Sequence, residues 1–371
     1  MTSFSRRNTL DRERMQTAGA AARSTVAYLQ IAAERFFRFE FWPAWILYAL
    51  LIPHFVRLVI RHRSVTVFAA ANPGIPLGGF VGESKFDILR RLPRSRTIPG
   101  LLLTPAPSEQ RLRHLRQAMD THRWHFPLVL KPDVGERGTG VRLVRSIDEA
   151  ADYFRVHHQA VIAQPFHTGP FEAGVFYVRR PGSARGEIFS ITTKVLPTVT
   201  GDGRSTLRAL ILSDSVLRLR HAVLLRQLGS KAADVPCAGE QVVLSIVGNH
   251  CRGAIFLDGA HLSTSSLQDA IDQVARQFDG FHFGRFDIKY SDPTAFARGE
   301  GFEIVELNGV LSESTNIYDP SFSLLRALRT LRAQWTLAFE IGAANARRGA
   351  RIPTAIEMIR AVRHARSLAR S

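Results

Sequence analysis

The sequence predicts an α+β fold, and three observations carry that expectation. From Trp124 onward, apolar runs of strand length recur, several of them separated by turns alone. The glycine-rich stretch GERGTG at 135–140 joins one such run to the next, as a hairpin does, and no helix follows it directly. The order of strands and helices lacks the regular βαβ alternation of a doubly wound parallel sheet. The 371 residues suffice for about two ordinary domains, or one domain with an appendage. With 45% hydrophobic and 22% charged residues, collagen-like and wholly disordered chains are excluded.

Each element follows from local pattern. Residues 1–40 are polar and basic, with part of the stretch helical. An apolar stretch occupies 41–60. The run VTVFAAA at 65–71 reads as a short strand. The segment NPGIPLGGFVGESK at 72–85 is a Gly/Pro loop that enters a helix near Ser84, a natural N-cap. Residues 108–123 place Leu112, Leu115 and Met119 on one helical face. Strands are expected at 126–131, 141–144, 161–164, 172–179 and 187–194, with a helix at 146–157 opened by Ser146 and Glu149 in capping-box spacing. Helical periodicity covers 206–228 and 267–278. Further strands fall at 241–247, 254–257, 283–290 and 302–307, and two helices, about 321–345 and 353–369, end the chain. The resulting divisions are a basic tail at 1–40, an apolar helical and Gly/Pro-rich region at 41–100, a central domain at 101–330 and Arg-rich helices at 331–371. Within the centre, 126–195 carries the lysine and glycine hairpin, and 196–330 the acidic strand pair.

The formal charge is +17, from 49 Lys+Arg against 32 Asp+Glu. Only five of the basic residues are lysines: Lys85, Lys131, Lys194, Lys231 and Lys289. In a chain that uses arginine by default, a lysine marks a position suited to a compact ammonium. No recognition helix, zinc finger or RNP-like strand is present, so specific nucleic-acid binding is not expected. Basic residues gather at the ends, among them Arg35 and Arg38 at one and Arg360 and Arg363 at the other, which suits an anionic membrane surface. Phe41 to Val56 carries no formal charge, but it is 16 residues long and contains Pro43 and Pro53, against the roughly 20 apolar residues of a spanning helix. A buried helix, an interfacial anchor through 35–60 and a span all stay open. No small-residue cleavage site follows, and Cys237 and Cys251 make neither a disulfide scaffold nor a CxxC site. The expected location is the cytoplasm, with contact at the inner face of the membrane as an option; oligomeric state is not legible.

Two constellations carry chemistry. In LVLKPDVGERGTGV, 128–141, Lys131 ends a strand and Gly135, Gly138 and Gly140 follow. Glycines allow backbone N–H groups close to phosphate oxygens, and a lysine supplies a point charge. The spacing is neither a P-loop nor a Rossmann fingerprint. In GRFDIKY, 284–290, Arg285 and Asp287 share one strand face; in FEIVELNGV, 302–310, Glu306 and Asn308 do the same. If the strands pair, three oxygen donors converge, a set suited to Mg²⁺ bound together with substrate phosphates. Arg285 beside them would steady charge on a transferred phosphoryl group. Between the constellations, Gln164 and Lys194 end strands and Glu172 opens one.

In this combination of lysine strand, glycine hairpin and paired RxD and ExN strands, the chain resembles the ATP-grasp superfamily, in particular the D-alanine–D-alanine ligase and cyanophycin synthetase-like branch. PTVTGDGRSTLRALI, 197–211, is similar to the VxGDGxST segment of the latter. The resemblance covers roughly 100–330, and it implies two α+β subdomains clasping ATP, with a divergent N-terminal region and added C-terminal helices. It implies that Lys131 and Lys194 hold ATP phosphates under the loop 135–140, with Arg137 and Thr139 as contacts. It implies Gln164 at the adenine hinge, Glu172 on the ribose, Asp287, Glu306 and Asn308 on two Mg²⁺, and Arg285 and Lys194 in catalysis. The expected activity is ATP- and Mg²⁺-dependent carboxylate–amine ligation through an acyl phosphate. The alternatives are an ATP-grasp kinase or phosphotransferase and a nucleotide-binding membrane adaptor. Asn249, Arg252, Ser312, Glu313, Ser314 and Asn316 are candidate substrate contacts. Asn72, Glu83, Ser84 and Lys85 either line the acceptor side of the cleft or belong to a structural turn.

Overall fold

The computed structural model describes residues 28–135, 138–245 and 248–368. The chain divides into two compact units, one of residues 1–49 and 197–244, the other of 50–196 and 245–371. The first holds a two-stranded antiparallel sheet of β7 (Thr198–Thr200) and β8 (Gln241–Val243). In it, a helix at 28–37 packs on the turn Leu217–Arg220, where Arg218 pairs with Glu34 at 2.8 Å and the Arg35 guanidinium donates to the Leu219 carbonyl. Asp202, in the GDG turn, accepts from the Arg204 and Ser205 amides at 2.8 and 2.6 Å, and these hydrogen bonds pull its carboxyl down to about 2.

The second unit contains two antiparallel sheets. One has the order β1 (Leu101–Leu103), β4 (Val161–Pro165), β2 (Leu128–Pro132), β3 (Arg142–Val144). Its inner side chains, including Leu128, Leu130, Val144 and Val161, bury against helices Ser108–His122 and Ile147–Val156. The other has the order β11 (Phe302–Asn308), β10 (Phe283–Tyr290), β5 (Phe171–Val178), β6 (Glu187–Val195), β9 (Ile255–Asp258). One face of this sheet is apolar: Ala173, Val175, Tyr177, Phe286 and Ile288 pack with Ile271, Val274 and Phe278 of the helix around Ser265–Gln277. Because strand side chains alternate, the other face receives Glu172, Lys194, Arg285, Asp287 and Lys289. The α+β class and the antiparallel pairing follow the sequence patterns.

Three expectations need correction. The run at 65–71 is not a strand: Val67–Ala71 is a 3₁₀ helix. It has no partner strand, since its carbonyls face the helix Leu324–Arg347, where Asn345 donates to Ala70 and Ala71 and Gly342 leaves room for the Val67 carbonyl. The helix at 206–228 is broken into Leu207–Ser213 and His221–Leu228, because the Asp214 side chain accepts from the Val216 and Leu217 amides and turns the chain. The strand at 241–247 ends at Val243; residues 246 and 247 lie outside the described residues. Among the described residues, no single helix is long and apolar enough to cross a membrane; the apolar stretch forms separate helices Ala44–Leu50 and Ile52–His62.

The Gly/Pro segment is stitched onto β10 and β11. The Asn72 side chain is fully buried. Its amide donates to the Phe283 and Gly78 carbonyls at 2.7 and 3.0 Å, and its oxygen accepts from the His282 and Phe283 amides, both at 2.9 Å. Gly79, at φ +79°, lies against Gly309 so closely that a Cβ would stand 2.6 Å from the Gly309 Cα. Asn72→Ala strips four backbone groups of their partner without offering water in return. It is expected to lower unfolding free energy by about 2–4 kcal/mol in urea denaturation. A loss below about 0.5 kcal/mol would contradict this assignment.

Candidate active site

The polar face of the five-stranded sheet is built by register. Asp287 stands opposite Glu306 on β11 and Gly174 on β5; Arg285 stands opposite Asn308; Glu172 stands opposite both Lys194 and Lys289. Gly174 supplies the space for the Arg285 stem, since a Cβ there would meet the Arg285 Cδ at 3.0 Å. The pairing that places Asp287, Glu306 and Asn308 together is therefore the one expected from the RxD and ExN strands.

Asp287 is buried and anchors the group. Its Oδ1 lies 2.9 Å from Arg285 Nε and 3.1 Å from Lys194 Nζ, while Asn308 Nδ2 donates to Oδ2 at 3.3 Å. Burial alone would raise its carboxyl, but the two cations hold it well below the usual carboxylate range. The same attraction runs the other way. Burial would lower Lys194, yet Asp287 and Glu172 raise it, and Arg285 is raised likewise by Asp287. Lys194 donates to Glu172 at 2.7 Å, and Lys289 approaches the other Glu172 oxygen at 3.2 Å. Gly248 closes over that carboxylate; a Cβ there would stand 2.5 Å from it.

Lys131 arrives from the other sheet. It is buried, and its ammonium donates to the Val305 carbonyl at 3.2 Å, one residue before Glu306. Among the described residues, no carboxylate stands at ion-pair distance from it. Burial lowers it to about 8; Glu306 opposes that and Lys85 adds to it. The hairpin after it is tied at its far limb. Gly140, at φ +72°, packs on Pro132, and its carbonyl accepts from the Tyr153 hydroxyl at 2.7 Å. Gly135, Gly138 and Thr139 lie in the described part of this loop, whereas Arg137 lies outside the described residues.

Other expected positions differ in their setting. Gln164 is buried beside β2, opposite Val129, and donates to the Ile98 carbonyl at 3.3 Å. Glu313 reaches the cluster through its backbone, whose carbonyl accepts from Arg285 at 3.0 Å; its side chain accepts from Tyr318. Ser312 and Ser314 are buried and held by Gln334, which bonds the Ser312 carbonyl and the Ser314 amide. Asn316 donates to Asp258 at 3.1 Å. These three belong to the support of the loop after β11. Asn249 and Arg252 form the turn before β9, close in sequence to Gly248. Asp133 is absent from the candidate residues of the sequence, whereas Lys289 is among its marked lysines but given no role there. Lys289 was signalled by lysine scarcity and by its spacing of two from Asp287. Asp133 carries no local signal: its carboxylate accepts from Ser84 Oγ and the Phe86 amide, clamping the GESK turn to the end of β2.

The donor set suits a hard divalent cation. Asp287 and Glu306 offer carboxylate oxygens, and Asn308 uses its amide nitrogen on Asp287, leaving its oxygen for a ligand. The carboxylates now meet ammonium and guanidinium groups, and no group of three or more His, Cys, Asp or Glu placed for metal binding occurs among the described residues. A cation would share these two carboxylates with water and phosphate oxygens, as Mg²⁺ commonly does.

An unpaired buried ammonium costs stability. The cost is present in full at pH below about 8 and is relieved as pH rises from there towards the ordinary lysine value. Lys131→Met is therefore expected to stabilise the ligand-free protein at neutral pH by on the order of 1–3 kcal/mol, with the gain shrinking in alkali. Urea unfolding at both pH values reads this. A destabilised variant would show that Lys131 serves the fold.

No family model matches the chain, and no curated protein is similar to it. Solved structures do show a likeness. A bifunctional glutathione synthetase from Pasteurella multocida is 14% identical with a TM-score of 0.35, over 65% of this chain and 34% of that one. The VanG D-Ala:D-Ser ligase from Enterococcus faecalis is 12% identical with a TM-score of 0.38, over 68% of this chain and 61% of that one. D-cycloserine synthetase DcsG is 12% identical with a TM-score of 0.38, over 67% and 69%. The chain thus spans about a third of the first of these and less than two thirds of the second. By its lysine strand, its glycine hairpin and its paired RxD and ExN strands, the chain resembles the ATP-grasp superfamily.

Proposed function

We propose that the chain is an ATP- and Mg²⁺-dependent ligase that joins a carboxylate to an amine through an acyl phosphate. The observation that carries this reading is Lys131: a buried ammonium with no carboxylate at ion-pair distance among the described residues, within the electrostatic reach of Asp287 and Glu306 and at the base of a glycine hairpin. That arrangement asks for an anion that is itself bound to a cation, and a metal–triphosphate answers both demands. Lys131 and Lys194 would hold its phosphates, with Gly135, Gly138, Thr139 and Gly140 over them and Arg137 in the same loop. Gln164 would lie towards the adenine and Glu172 towards the ribose. Asp287, Glu306 and Asn308 would hold Mg²⁺, in one or two ions, which when bound offsets charge on the transferred phosphoryl group.

In the reaction, a substrate carboxylate oxygen attacks the γ-phosphorus, the bond to the ADP oxygen breaks, and that oxygen keeps the electron pair. An amine then attacks the acyl carbon, phosphate leaves, and the amine proton passes to solvent or base. Arg285, fixed by Asp287 and the Glu313 carbonyl, presents its remaining N–H groups to oxygens that gain charge. The loop must exclude water, which would hydrolyse the acyl phosphate. Asn249, Arg252, Ser312, Glu313, Ser314 and Asn316 are proposed along the substrate side, the buried ones acting by holding the loop. ADP release with Mg-ATP should require an acid and an amine together. Asp287→Asn and Glu306→Gln should each lower it by about 100-fold or more. A stable phosphorylated product without amine would favour the kinase, and nucleotide binding without turnover would favour the adaptor.

Peripheral contact with an anionic membrane surface is part of the same proposal. On helix Ile52–His62, Ile52, Val56 and Ile60 are 56%, 51% and 71% exposed and fall along one arc, with Arg57 and Arg61 on its flank. In the other unit Phe36, Phe37 and Trp45 are exposed as well. Apolar side chains bordered by arginine on a chain of charge +17 complement anionic lipid. Vesicles containing phosphatidylserine should sediment the protein, and Ile52→Ser/Val56→Ser/Ile60→Ser should weaken this by about tenfold or more. Equal sedimentation of variant and parent, or self-association through this arc in place of lipid binding, would contradict it.

A further inference from the structure

The segment NPGIPLGGFVGESK has no role in the mechanism above, yet it is fixed at three places, two at the proposed metal strands and one at the end of β2. Asn72 seizes the start of β10. Gly78 and Gly79 lie on Gly309, directly after Asn308, and the Gly78 carbonyl accepts from the Val310 amide at 3.0 Å. At its end, Asp133 receives Ser84 Oγ at 3.0 Å and the Phe86 amide at 2.9 Å, and its carbonyl receives the Lys85 amide at 3.2 Å. These anchors set Lys85 at the first position of the helix Lys85–Leu89 and aim its side chain inward.

The Lys85 ammonium lies 3.3 Å from Glu306 Oε1 and donates to the Gly135 carbonyl. Its side chain is 18% exposed. An ammonium has three N–H donors, and among the described residues these contacts take two of them, with Glu83 and Asp133 adding negative charge nearby. Gly135 opens the loop assigned to the phosphates, and Glu306 is assigned to the metal. A cation that bridges them joins the carboxylate assigned to the metal to the loop assigned to the phosphates.

We propose that Lys85 is a further phosphate-binding residue, which contacts the γ-phosphoryl group of the bound nucleotide and stays with it as it passes to the acceptor. This rests on the nucleotide reading of the site. In the ligand-free protein Lys85 is held ready by Glu306; when Glu306 turns to the metal, the ammonium keeps Gly135 and gains phosphate oxygens. The NPGIPLGGFVGESK segment is then the third wall of the site, beside the two sheets.

The test is equilibrium binding by the full chain of Mg²⁺ complexes of a fluorescent non-hydrolysable ATP analogue and of the matching ADP, for parent and Lys85→Gln. The variant is expected to lose roughly tenfold or more in affinity for the triphosphate and to keep its affinity for the diphosphate within about threefold. Equal losses for both nucleotides would show that Lys85 only braces the Gly135 loop, and no loss for either would remove it from the site; each overturns the proposal. If the parent binds neither nucleotide, the nucleotide reading itself fails. A second measurement needs no variant. In the parent protein, the ATP analogue with Mg²⁺ should protect Lys85 from amine acylation, read by peptide mass spectrometry, and Mg²⁺ with ADP should not. Identical labelling under the two conditions would also overturn it.

Discussion

A carboxylate buried in the middle of a sheet must be compensated from its own and its neighbouring strands, and Asp287 imposes that condition on everything around it. Arg285 precedes it by two on the same strand, Lys194 reaches it from β6 across β5, and Asn308 adds an amide from β11. Removing any partner would leave a charge stranded in a poor solvent, which costs far more than the pairing gains. The register of β10 against β11 and β5 follows from this as much as from the apolar face beneath. So does Gly174, whose missing side chain is where Arg285 lies. The arrangement is rigid because it is buried and charged at once, and a rigid frame is what positioning chemistry requires.

Lys131 stands outside that balance. The ion cluster on the sheet is closed upon itself, with Glu172 shared by Lys194 and Lys289. Lys131 comes from the other sheet, meets a backbone carbonyl, and is held at a lowered pKa. A buried ammonium with no carboxylate at ion-pair distance among the described residues is the kind of group that an anionic ligand completes. Lys85 occupies an intermediate place, since it has a carboxylate partner, but a partner that the site would call upon for another purpose.

Much of this was legible in the sequence because strand periodicity is short-ranged. Arg285 and Asp287, and Glu306 and Asn308, are each two apart among apolar residues, so their shared face could be read directly. Helix starts at Ser84 and Ser146 were equally local, and each serine does cap its helix. What was not legible depended on distant partners. Val67–Ala71 looks like a strand until the helix bearing Gly342 and Asn345 is laid across it. Ser312, Ser314 and Asn316 are placed by the sequence after Asn308, but the groups that hold them, Gln334 and Asp258, lie far along the chain or on another strand. The Gly/Pro segment was ambiguous for the same reason, since nothing local reveals that Gly79 packs on Gly309 or that Lys85 reaches Glu306.

The central claim is that the polar face of the five-stranded sheet and the Lys131 hairpin together grip one metal–nucleotide. Crystals grown with Mn²⁺ and a β,γ-imido analogue of ATP test it most directly, through the anomalous signal of the metal. The account predicts manganese within about 2.5 Å of oxygens from Asp287 and Glu306, with phosphate density extending from it to Lys131. Manganese bound elsewhere, or phosphates that leave Lys131 as it stands in the ligand-free protein, would contradict the account.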